Sequence, residues 1–135
     1  MKSYTDLEQS KKLAEILPLE SADMHYVLTD SDQETYSPGL EKYYGVLPSI
    51  PCWSLAALLD ILPNEISTGE EWHSKYQIDI RKYNGGDNTT LYQIAYGNNR
   101  GSSGSWHDMI NTGERQNLID SCVDMILLCK EHKWL

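Results

Sequence analysis

Apolar positions recur along the chain first at helical spacing and later at alternating spacing, and the switch divides it into predicted elements. Leu7, Leu13, Ala14, Ile16 and Leu17 form one stripe with a helical period. Thr5-Asp6-Leu7-Glu8 fits a capping box before that stripe, with the Thr5 hydroxyl and the Glu8 carboxylate serving the first backbone donors. Pro18 ends the helix, because proline cannot continue the hydrogen-bond ladder. His25 to Thr29 reads as a strand. Residues 51–62 predict a second helix: Pro51 suits a first turn, only Ser54 and Asp60 interrupt the apolar run, and Pro63 closes it. A helix apolar almost all round is expected to be the buried hub. The endings of the two helices, Glu15 to Glu20 and Asp60 to Glu65, are alike. They fit either an old helix-then-strand repeat or shared helix-stop chemistry.

Beyond residue 71 the period becomes two. Tyr76, Ile78 and Ile80 share one face of a strand over 72–83, with Gln77, Asp79 and Arg81 on the other. Asn84-Gly85-Gly86-Asp87-Asn88 is a turn signal, since Gly and Asn tolerate positive φ. Leu91 to Tyr96 is the return strand, with Tyr92, Ile94 and Tyr96 toward the core. Gly97–Gly104 reads as a loop, and Ser105 to Ile110 as a short fourth strand. The last helix runs from about Leu118 to His132, capped by Asn117 and buried along Ile119, Cys122, Val123, Ile126 and Cys129. The pattern predicts an α+β domain: a two-layer fold with a mainly antiparallel sheet of about four strands and three helices packed on one face. At 135 residues, a single domain over 1–135 is expected, with a long acidic loop at 30–49.

Charge narrows the partner classes. The net charge is −9 and the basic residues are scattered, so a nucleic-acid partner is not expected, and neither is an anionic membrane surface. No apolar run approaches the length of a bilayer span, and the first twenty residues have no apolar leader core. Cys52, Cys122 and Cys129 are odd in number and form no CxxC pair. Cytoplasmic localisation with reduced thiols is expected. A protein partner or a homodimer remains the partner class to expect.

Three stretches carry a resemblance: Leu13 to Pro18, Pro51 to Leu59, and Asn117 to Ile126. They resemble a group of short uncharacterised proteins from gut-bacterial genomes, often encoded on phage-like or mobile elements. The resemblance implies a small intracellular protein and brings no activity and no active-site residue with it.

Candidate chemistry starts at Cys52, because a helix N-terminus would stabilise its thiolate. Cys52-Trp53-Ser54 is superficially similar to the nucleophile region of papain-like cysteine hydrolases, with His107 as base and Asp108 beside it. Neighbours on a strand point to opposite faces, so Asp108 is badly placed to orient His107. The plainer reading makes Cys52 a small core residue. The pairs Trp72-His73 and Trp106-His107, with Glu70, Glu71 or Asp108, lack the ligand spacing of a metal site, so no metal is expected. Glu70 and Glu71 sit in a turn signal and read as solvated carboxylates. Ser102, Ser103 and Ser105 lie among glycines without the Lys and following helix of a phosphate loop, and no cofactor is expected. Tyr36, Tyr43, Tyr44 and Trp53 are residue types that anchor interfaces. They support a non-enzymatic cytosolic binding or adaptor protein acting through protein–protein contacts. The alternatives are a cysteine hydrolase using Cys52 and His107, and an acidic inhibitor or immunity-type protein that meets a basic partner.

Overall fold

The computed structural model describes residues 2–30, 35–39, 49–71, 74–100 and 104–135. These form helices and antiparallel strands of the α+β class, grouped in two compact units, Met1–Ile61 and Leu62–Leu135. The strands divide between two sheets, one in each unit, where the sequence pattern suggested one.

In the first unit, helix α1 spans Leu7–Ala14. Its cap is Asp6 and not Thr5: the Gln9 N–H donates to Asp6 Oδ1 at 2.8 Å, and the Asp6 N–H donates back to Gln9 Oε1 at 3.1 Å. Asp caps a helix as well as Thr does, and Thr5 is committed elsewhere. Its N–H donates to the Trp53 carbonyl at 2.9 Å, and its hydroxyl accepts the Trp53 N–H at 3.1 Å. α1 stops one turn before Pro18, where the Ile16 and Leu17 N–H groups both return to the Leu13 carbonyl.

Strand β1, Met24–Asp30, pairs antiparallel with β2, Thr35–Gly39, on one side and with β3, Ser49–Cys52, on the other. Thr35–Gly39 thus forms a strand inside the segment expected as loop. Pro51 and Cys52 also depart from expectation, lying in β3 opposite His25 and Met24. An edge strand tolerates a proline that has no N–H to offer. Helix α2 begins only at Leu55 and runs to Ile61, with the Ser54 hydroxyl accepting the Ala57 N–H at 3.2 Å. Within α2 only Leu58 is fully enclosed; the buried hub of this unit lies ahead of the helix, at Cys52 and Trp53.

In the second unit, β4 (Glu65–Ser67), β5 (Lys75–Asn84), β6 (Thr90–Arg100) and β7 (Ser105–Asn111) lie side by side in that order, all antiparallel. The β5–β6 turn falls on the expected residues, with positive φ at Gly86, Asp87 and Asn88. β6 continues through Gly97 to Arg100, beyond the point where a loop was expected. β4 was not anticipated, because three residues show too little alternation to register. Helix α3, Leu118–Glu131, is capped by Asn117, whose side chain accepts the Asp120 N–H at 2.9 Å. It packs on β6, burying Ile119, Cys122, Val123, Met125, Ile126 and Cys129 beside the buried Tyr92, Ile94 and Tyr96. Two side-chain bonds fix the arrangement within this unit: the Ser121 hydroxyl donates to the Tyr92 carbonyl at 3.2 Å, and the Tyr96 hydroxyl to the Pro63 carbonyl at 2.6 Å.

Candidate functional site

The residues singled out by sequence fall in different surroundings. Cys52 ends strand β3, three residues ahead of α2, and so is not in the first helical turn where it was expected. It is fully buried, its thiol donates to the Thr5 carbonyl at 3.5 Å, and the Thr5 hydroxyl donates to its sulfur at 3.6 Å. Burial pushes this thiol up, with the Thr5 hydrogen bond opposing only in part. A nucleophilic cysteine needs the reverse shift and access to solvent. Trp53 is likewise enclosed, and its indole N–H donates to Ser21 Oγ at 3.0 Å, which removes it from the set of contact residues. Tyr36 lies in β2 opposite Leu28. Tyr43, Tyr44, Trp72, His73, Ser102 and Ser103 lie outside the described residues. Glu70 and Glu71 are exposed in the bend before β5, and Ser105 opens β7. Among the described residues, no three His, Cys, Asp or Glu side chains gather into a metal-binding group.

The residues that do converge lie on the face of the four-stranded sheet opposite Tyr92, Ile94 and Tyr96. Period-two alternation puts Lys75, Gln77, Asp79 and Arg81 of β5 on this face, and the register sets Gly97, Ala95 and Gln93 of β6 against the last three. β7 joins through a bulge. Tyr96 pairs with Ile110 while Gly97 pairs with Asp108, so Met109 is the extra residue. Asp108 and Asn111, three apart, would point oppositely along a regular strand. The bulge brings both to the polar face, with Trp106 beside them opposite Asn99.

Arg81 organises this face. Its Nε donates to Asp79 Oδ2 at 2.7 Å, and its Nη1 to Gln93 Oε1 at 3.1 Å and Asp108 Oδ2 at 2.9 Å, while Nη2 completes a fork on Asp108 Oδ1. Asp108 also accepts the Trp106 indole N–H at 2.8 Å and the Asn111 amide at 3.2 Å. The Arg81 fork holds the Asp108 carboxyl below its usual range, and the two carboxylates keep Arg81 firmly charged. His107 pairs with Asn98, so its side chain points to the other face, and Asp108 is engaged away from it.

Trp106 is the large ring presented here, with 37% of its surface exposed. Its indole lies over Gly97: a Cβ added there would meet the indole Cε2 and Nε1 at 2.8 Å and the His107 carbonyl at 2.4 Å. The glycine is therefore required by close approach. Next to the ring, Glu65, Lys75, Gln77, Asn98 and Asn99 complete a shallow cleft of about 290 Å³. Asn98 is anchored by its amide to the Lys75 carbonyl at 3.1 Å. Sequence alternation had grouped Gln77, Asp79 and Arg81. Trp106 and Asp108 joined them only through the pairing register and the bulge, which leave no local signature. No helix among the described residues is long and apolar enough to cross a membrane. The chain matches no family model, no curated protein and no solved structure, so the polar sheet face is read from its own geometry.

Proposed function

We propose that this protein works by binding, not by covalent catalysis, and that the polar face of the four-stranded sheet is its contact surface. The carrying observation is Trp106: a large exposed ring fixed in one orientation by Asp108, which is in turn fixed by Arg81 and Asn111. Pre-ordered Trp and Arg side chains lose little entropy on binding, and they dominate contact energetics where they occur. The adaptor reading from sequence is kept in this form, with a protein as its expected partner class. A cytoplasmic setting is supported by three free, buried thiols. The acidic-inhibitor alternative gains little from this face, because Asp79 and Asp108 are both hydrogen-bonded to Arg81, which leaves only one net negative charge on the trio.

Site-specific photo-crosslinking tests the surface. A benzoylphenylalanine at Gln77 or Asn99, on the polar face, is expected to give a discrete adduct in cells, and the same probe at His107, on the opposite face, is not. Equal labelling from both faces, or none from the polar face, would refute the assignment.

A further inference from the structure

We infer that the cleft beside Trp106 is a subsite for one ring of a neutral saccharide. The inference rests on the reading that this sheet face is a contact surface and adds a saccharide subsite to the protein-contact face proposed above. The chemistry of the lining carries it. A sugar ring has a face of polarised C–H groups and a rim of hydroxyls that each donate and accept. The negative π-face of an indole suits the first. Side-chain amides, which present a donor and an acceptor in one plane, suit the second. The cleft supplies both: Trp106 from β7, Asn99 from β6, and Gln77 from β5.

The charges point the same way. Among the described residues of the lining, Glu65 of β4 and Lys75 of β5 carry the formal charges, and they cancel. An anionic ligand would meet Glu65 and a cationic one Lys75, whereas a hydroxyl can donate to the first and accept from the second. The nearby Asp108 and Asp79 carboxylates are both hydrogen-bonded to Arg81, and the one negative charge left on this trio further disfavours an anionic ligand. A volume of about 290 Å³ lies at the lower edge of small-ligand sites and suits one ring with its neighbours in solvent. Glu65, Lys75, Gln77, Asn99 and Trp106 all project from the same sheet face, one or more from every strand, so the site is built on paired backbone.

The test is amide and indole N–H chemical-shift mapping with maltotriose and with chitotriose, each at roughly 10 mM, enough to detect affinities of ~1 mM. Saturable shifts at Gly97, Asn99 and the Trp106 indole are expected with at least one of them. Trp106→Ala should weaken binding by about tenfold or more, Gln77→Ala by a few-fold, and His107→Ala not at all. Trp106→Phe keeps a stacking surface without the bond to Asp108, so partial binding by this variant confirms stacking even where Trp106→Ala folds poorly. The inference is overturned by no shifts with either glycan, or by shifts that survive intact in folded Trp106→Ala. Should the glycans fail while polar-face crosslinking still yields a protein adduct, the ligand class falls and the contact surface stands. Failure of both experiments removes the surface as well.

Discussion

At Thr5 and Cys52, neighbouring side chains decide roles that residue type alone leaves open. Thr5 has the chemistry of a helix cap, yet its hydroxyl is buried between the Ser10 hydroxyl, the Trp53 N–H and the Cys52 sulfur, while its carbonyl accepts the Tyr26 hydroxyl at 2.7 Å. Thr5→Val should therefore cost about 1–3 kcal/mol by stranding buried partners. Asp6→Ala should cost about 1 kcal/mol by removing the cap. Chemical denaturation of the two variants would rank them. The thiols are expected to be uniformly inert. Cys52, Cys122 and Cys129 are all fully buried, so alkylation by iodoacetamide should run roughly a hundredfold or more slower than in the denatured chain. One fast thiol at Cys52 would restore the nucleophile reading.

Elements were legible where their signals were local, and misread where pairing decided. α3, the β5–β6 hairpin and its turn follow from periodicity and positive-φ residues. The start of α2 did not, because Pro51-Cys52 reads equally as a first helical turn or as an edge strand, and pairing with β1 settles it. The polar face was half legible: alternation along β5 grouped Arg81 with Asp79, but their partner Asp108 comes from a strand more than twenty residues on. Gly97→Ala tests this face at the level of packing. Its Cβ would collide with the β7 backbone, so a loss of about 1–3 kcal/mol and a changed Trp106 environment are expected by thermal melting and indole N–H shifts. Asp108→Asn should change stability by less than about 1 kcal/mol, because the pair is partly solvated. The carboxyl is held low by Arg81, so the pair is intact at neutral pH. Its contribution fades only as pH falls below the ordinary aspartate value of 3.8, where the unfolded chain takes up the proton first.

For the whole molecule, the buried acids set an alkaline limit. Burial raises Cys122 to about 12, Cys129 to about 11 and Tyr26 to about 12. Between the ordinary values, 9.0 for a thiol and 10.0 for tyrosine, and these figures, the unfolded chain has lost protons that the folded chain keeps. Stability is thus complete below about pH 9 and declines as pH rises toward 11 and 12. Cys122→Ala/Cys129→Ala, compared with the parent by melting from neutral to alkaline pH, should flatten that decline while lowering stability at neutral pH. The α+β class was legible from the order of elements, whereas the division into two sheets was not, since it depends on which strands meet. The bulge at Met109 carries a consequence of its own. A strand is a two-phase device, and this single extra residue resets the phase, so that Ile110 shares Tyr96's side while Asp108 and Asn111 share Arg81's. Deleting Met109 would leave Asp108 and Ile110 adjacent and opposite Gly97 and Tyr96 in an unbulged ladder, so Ile110, Asp108 and Asn111 would all keep their sides. A deletion there should therefore be far less damaging than a deletion at Asp79, in the regular β5–β6 ladder, where every side chain on one side of the gap would change faces.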